Sequence, residues 1–134
     1  MASKSDYLEN KILDHVFGDG SFTMPAAVYL ALCTAVPTDA STGSTITEAT
    51  YTGYARKQVA ASDMSAASGG SKTNSAAITF ADCTAGTSTV IGWALCDAST
   101  AGNVLYWGTV TSKVIDTSNT PATIPIGGLV VTED

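Results

Sequence analysis

Few residues in this chain are of a type that does chemistry. His15 is the one histidine, and Cys33, Cys83 and Cys96 are the three cysteines. Nucleophilic catalysis needs a base within hydrogen-bond reach of a thiol or hydroxyl, and a third group to orient that base. His15 would have to serve in any such pair, yet it sits within a helical pattern and beside no nucleophile motif. Zinc needs three or four His, Cys or carboxylate ligands at recognisable spacing, and no CxxC pair exists. Three cysteines cannot all pair within one chain, so they are expected to act as small buried hydrophobes. The stretch from Asp97 to Asn103 offers Ser99 and Ala101 where a calcium loop needs oxygen ligands, and it has no distal Glu. The acidic residues are too scattered for a paired-carboxylate site to be argued from spacing. The Gly69-Gly70 pair belongs to no phosphate-binding motif. No catalytic, cofactor-binding or metal-binding residue is expected, and the chain does not read as an enzyme.

Charge narrows the possible partners. Twelve acidic residues against six basic give a net charge of −6, and among the basic residues only Arg56 and Lys57 adjoin. Phosphate neutralisation requires a basic footprint, so nucleic acid is not an expected partner. No stretch approaches the roughly 20 apolar residues of a membrane span. The N-terminal MASKSDYLENK turns polar where a signal peptide would have its apolar core, so synthesis and retention in a cytosol are expected. Charged residues make up 13% of the chain and hydrophobic residues 45%; about 25% charged is usual. Ser, Thr, Ala and Gly fill the gap, a composition that suits pleated strands and tight turns. Neutral polar surfaces are also easier to bury against another subunit than charged ones.

The elements that must position these residues begin with a helix. Asp6 is placed as its N-cap, with Glu9 completing a capping box. Leu8, Ile12 and Val16 recur at i+4 spacing, Leu13 and Phe17 widen the stripe, and Gly18 stands where a C′ glycine stops a helix. Beyond it the period becomes that of strands. Ala26 to Val36 is an apolar run closed by Pro37, and Thr38 to Thr52 reads as a long loop. Further strands are expected at Gly53 to Ala61, Ala76 to Cys83, Gly92 to Val110, Lys113 to Asp116, Ala122 to Ile126 and Gly127 to Asp134. This pattern predicts an all-β antiparallel sandwich or barrel preceded by one amphipathic helix. The expected division is an arm and helix over 1–18 and a β-sandwich over 19–134, in a single domain.

The stretch GWALCDASTAGNVLYWGTV, residues 92 to 110, reads as a hairpin. A turn centred on Thr100 sets Cys96 opposite Val104, Leu95 opposite Leu105 and Trp93 opposite Trp107. Strand alternation then places Ile91, Trp93, Leu95, Leu105 and Trp107 on one face, and Ala94, Cys96, Val104 and Tyr106 on the other. Both faces are apolar, so both must be covered, one by the core and one by the helix or a neighbouring subunit.

In order, SDYLENKILDHVFG, FTMPAAVYLALCTAVP, YTGYARKQVA, TNSAAITF, the hairpin and PIGGLVVTED span nearly the whole chain. Together they resemble a family of small virion proteins of tailed bacteriophages, of the head-decoration (cement) or tail-fibre-like kind. The resemblance implies a β-sandwich of jelly-roll type, a homotrimer or another oligomer, and attachment to the outside of a virion assembled in bacterial cytoplasm. It marks Tyr54-Ala55-Arg56 as a strand with an inter-element arginine contact and Gly102-Asn103 as a hairpin turn. Fibre shafts are built from repeats and this chain has none, so binding across capsid-subunit junctions, with the major capsid protein as partner, is the favoured expectation. A tail-fibre or tail-tip adhesion module is the alternative. Tyr7, Leu8, Ile12, Val16, Phe17, Tyr51 and Tyr54 are the candidate inter-subunit contacts; Trp93, Leu95, Leu105 and Trp107 form the candidate hairpin core.

Overall fold

The alternation of β2 (Val28–Cys33) organises everything around it: Leu30 and Leu32 point to one side, Ala31 and Cys33 to the other, and all four are buried. The structure is a computed structural model that describes residues 2–133. Its other elements are β1 (Ala2–Lys4), α1 (Asp6–Phe17), β3 (Lys57–Val59), a 3₁₀ turn (Ala61–Asp63), β4 (Ser71–Thr73), β5 (Ile78–Thr79), β6 (Ser88–Cys96), β7 (Val104–Ile115), β8 (Thr123–Ile124) and β9 (Val130–Thr132). One antiparallel sheet runs in the order β1-β7-β6-β2-β3, and two two-stranded ribbons pair β4 with β9 and β5 with β8. The all-β sandwich with an N-terminal helix is therefore what forms. Its second layer is the ribbons and their connections.

The main core lies between these layers. Leu30, Leu32, Val90, Trp93 and Leu95 of the sheet meet Ile78, Phe80, Cys83, Ala122 and Leu129 from the opposite layer. The reverse face of the sheet carries a second cluster of Ala31, Cys33, Ala94, Cys96 and Val104. Ile46 and Trp107 pack on this second cluster. The hairpin is thus apolar on both faces as expected, but its second face is covered from within the chain. Its side chains are small, so one loop and one indole suffice.

Ser5, not Asp6, is the N-cap of α1. Its backbone is extended and its Oγ accepts the Leu8 N–H at 3.3 Å. The Ser5 N–H also donates to the Leu105 carbonyl at 3.0 Å, and its hydroxyl donates to the Val104 carbonyl. Residue 5 continues the β1–β7 pairing, so the chain can turn helical only after it. Asp6 and Glu9 fall in the first turn instead, where negative charge favours the exposed N–H groups. The helix stops as the sequence indicates, with Gly18 at φ 84° donating to the Asp14 carbonyl.

The hairpin register departs from the symmetric pairing. Cys96 does lie opposite Val104, but a bulge follows, so that Leu95 faces Tyr106, Ala94 faces Trp107 and Trp93 faces Gly108. Leu105 is the extra residue, and beyond a bulge every side chain changes face. The tryptophans consequently lie on opposite sides: Trp93 in the main core, Trp107 over the second cluster with its Nε1–H donating to Asp39 Oδ1 at 3.2 Å. A second irregularity between Val90 and Gly92 turns both Val90 and Trp93 into the main core and removes Ile91 from the face it was expected to share. The separate strand expected at Lys113 to Asp116 is the continuation of β7.

Buried Asn74 ties the ribbons together. Its Nδ2 donates to the carbonyls of Ala76 and Pro125, each at 2.8 Å, and its Oδ1 accepts the Leu129 N–H at 2.8 Å. Asn74→Ala would strand these backbone groups in the core, at about 1–3 kcal/mol for a buried unsatisfied group. We expect urea denaturation of this variant to show a loss of about 3 kcal/mol, whereas replacing the exposed neighbour Ser75 with Ala should leave the midpoint within error.

Candidate functional site

Three surface segments converge on one arginine. Arg56, whose side chain is only 3% exposed, pairs with Glu48 through Nη2 to Oε1 at 2.7 Å. Its Nε–H is shared between Glu48 Oε1 and Oε2 at 3.1 and 3.2 Å. Nη1 donates to the carbonyls of Ala98 and Ala101 at 2.9 and 2.8 Å, and Nη2 donates to Gly43 at 2.6 Å. The guanidinium has five N–H donors in a planar fork, and the geometry engages all of them. Tyr54 extends the set by donating to Glu48 Oε2 at 2.6 Å and accepting the Leu32 N–H at 3.1 Å. Burial, then the hydrogen bond to Glu48, pushes the Tyr54 hydroxyl pKa above its ordinary value.

The hairpin turn is shaped to meet this arginine. Asp97 accepts from the Asn103 N–H and Nδ2, each at 2.7 Å, which closes the turn and aims its carbonyls at Arg56. Gly43 donates to the Gly102 carbonyl at 3.0 Å. A side chain at residue 43 would bring a carbon within 1.8 Å of the Ala101 oxygen, so only glycine fits there. The 38–52 loop is held by its own hydroxyls: Thr38 N–H donates to Ser41 Oγ and Thr42 N–H to Thr45 Oγ1, both at 2.9 Å. The Ser/Thr-rich loop is therefore a fixed wall.

The groups with latent reactivity lie apart and are masked. His15 is on the exposed side of α1, its Nδ1 accepting the Phe22 N–H at 3.3 Å. All three cysteines are buried and free. Burial first, then the negative field of Glu48, raises the Cys33 thiol to about 12. Burial raises Cys96 to about 11 against the opposing influence of Arg56. Both stay protonated near neutrality, and the thiol is the unreactive form. Among the described residues no group of three or more His, Cys, Asp or Glu side chains could hold a metal ion, and no helix is long and apolar enough to cross a membrane.

The candidate contact residues divide in two. Leu8 and Tyr51 are buried in the chain's own core, Tyr7, Ile12 and Tyr54 are half-buried, and Val16 and Phe17 are exposed. Tyr51 meets Tyr54 edge-on at 5.5 Å, and Tyr54 stacks on Phe80 at 6.4 Å, so these tyrosines line the interior and offer no aromatic platform to a receptor. Other apolar side chains are exposed as well, among them Leu13 of the same helix and Met24. Leu13 was legible in the helical stripe; Met24 lies in an irregular segment where no period marks it. An apolar groove of about 710 Å³ opens between the sheet and the β4–β9 ribbon, bordered by Met24, Val59, Met64, Leu105, Leu129 and Val131.

Two outcomes follow from this geometry. Lysine cannot reproduce the planar fork, and breaking a buried pair costs about 3–5 kcal/mol, so Arg56→Lys should destabilise by several kcal/mol in urea and speed hydrogen exchange at residues 97–103. The thiols set an alkaline limit. Their folded pKa values exceed the unfolded one, so their contribution to stability is complete below the unfolded pKa and is lost as pH rises towards 11 and 12. Denaturation midpoints should fall above roughly pH 9, and less steeply in a Cys33→Ala/Cys96→Ala double variant.

A search of curated proteins returns no match. The family described as Podophage GP4 fiber I protein gp80 matches residues 3–132, which covers both layers of the sandwich, the helix and the arginine-centred clamp. The chain therefore belongs to the Podophage GP4 fiber I protein gp80 family, and its role is that of a structural protein of a phage virion.

Proposed function

We propose that this chain is a non-enzymatic, fibre-associated building block of the virion, a globular unit that joins copies of itself to the fibre assembly. The match to a fibre-protein family across residues 3–132 is the observation that carries this reading. The form of the molecule refines it. A shaft is made from repeats or long coiled coils, whereas here the helix has 12 residues and most strands are short. Such a unit suits a knob, collar or base. Self-association, for which a homotrimer is the proposed form, is supported by apolar side chains that the fold leaves uncovered on α1.

Attachment to the capsid exterior, with the major capsid protein as partner, is the second reading, and the same compact form favours it. In either position the unit adds stability by mass action, since it binds an assembled neighbour and not the free chain. Antibody against the purified protein, applied to intact particles and viewed by electron microscopy, separates the two. Gold at the tail fibres is the expected result. A regular array over the head, together with co-sedimentation on emptied capsids at a fixed ratio, would replace the fibre reading with decoration.

A further inference from the structure

Helix α1 is only half packed. Leu8 is buried, but Leu13, Val16 and Phe17 are 54%, 68% and 77% exposed. Their i, i+3, i+4 spacing puts them on one face of the helix. Burying side chains of this kind contributes roughly 1.5–3 kcal/mol each, so leaving three together in water is costly. The apolar groove presents the complementary deficiency, a concave surface with no side chain in it. Its floor includes Val59, Leu105 and Leu129, and Met24 and Met64 stand at its sides.

Charge matches the two surfaces. Lys72 and Glu133 both border the groove, and the Glu133 carboxylate is already engaged by Lys4 and Tyr106, which leaves Lys72 as the uncompensated charge of the two. Lys57 lies opposite Leu30 in the β2–β3 pairing, as Val59 lies opposite Val28, so Lys57 and Val59 project from the same side of the sheet. Both lysines are exposed, and neither forms a salt bridge among the described residues. The helix and the turn after it carry Asp6, Glu9, Asp14 and Asp19 against Lys11. An acidic amphipathic helix thus has a lysine-flanked apolar groove on the same chain. The helix cannot supply its own groove, because Ser5 fastens its start to the carbonyls of Val104 and Leu105, and no residue of α1 borders the cavity.

We infer that the groove receives the C-terminal half of α1 from a second copy of this chain. Leu13, Val16 and Phe17 enter between Val59, Met64 and Leu105, and Lys57 and Lys72 face the acidic flank of the incoming helix. This is helix-in-groove recognition, with two different surfaces of one subunit in contact. Such heterologous contacts close into a ring or continue as a chain of subunits. The inference rests on the proposal that the chain self-associates, and it names the surfaces.

Cross-linking of the full-length protein tests it. Val16→Cys and Met64→Cys are prepared separately, mixed and oxidised mildly, the native cysteines being buried. A disulfide-linked dimer that forms in the mixture and in neither variant alone is the expected result. Should Met64→Cys fold poorly, Met24→Cys on the exposed lip takes its place. Analytical ultracentrifugation accompanies the cross-linking. Phe17→Asp should weaken association roughly tenfold or more, given the apolar area it removes from the contact. Lys57→Glu/Lys72→Glu should weaken it as well, and Asp14→Lys should restore part of the loss. An unmodified protein that stays monomeric at every attainable concentration overturns both self-association and the groove. An oligomer in which Val16→Cys cross-links only to itself leaves self-association standing and overturns the groove as its site.

Discussion

The buried guanidinium of Arg56 is the interaction on which the surface architecture of this protein depends. A charge removed from water must be fully paired, and the pairing here comes from one carboxylate and three backbone carbonyls belonging to separate segments. Satisfying the arginine therefore fixes the 38–52 loop, the approach to β3 and the β6–β7 turn relative to one another. Because Glu48 also accepts from Tyr54, which in turn accepts from Leu32, the clamp reaches strand β2 of the sheet. A loop that composition alone would leave mobile becomes a wall.

That wall has a consequence for packing. With Ile46 held over the reverse face of the sheet, the small side chains of Ala31, Cys33, Ala94 and Cys96 are covered without a second layer of strands. The main core can then occupy the other face alone, where Trp93 and the leucines of β2 and β6 meet the ribbons. Asn74 plays for the ribbons the part that Arg56 plays for the loops, joining backbone groups that lack strand partners. The two polar anchors compensate for short strands, since two-stranded ribbons are marginal alone.

The parts left unanchored are those suited to assembly. The first turn of α1 is tied down by Ser5 and Leu8, while Leu13, Val16 and Phe17 project into solvent, and elsewhere on the chain an apolar groove edged by Met24 stays open among the described residues. A subunit with an uncovered helix face and an open groove fits the virion structural role of its family.

The sequence by itself determined the local elements and their chemistry. Strand alternation and Gly18 as helix stop are properties of neighbouring residues, and the structure agrees on both. The significance of Arg56 was legible through resemblance, though not which carbonyls it would meet. Only the tertiary structure decided the position of the cap, the face of each tryptophan and the cover of the second cluster. Ser5 outcompetes Asp6 because Leu105, a hundred residues away, extends the ladder to it. Trp107 leaves the face of Trp93 because a bulge at Leu105 shifts the register by one residue, and a period of two carries no mark of such a shift. Tyr51 and Tyr54 lie inside because Glu48, Ser88 and Phe80 draw them there, partners that sequence spacing alone could not have named.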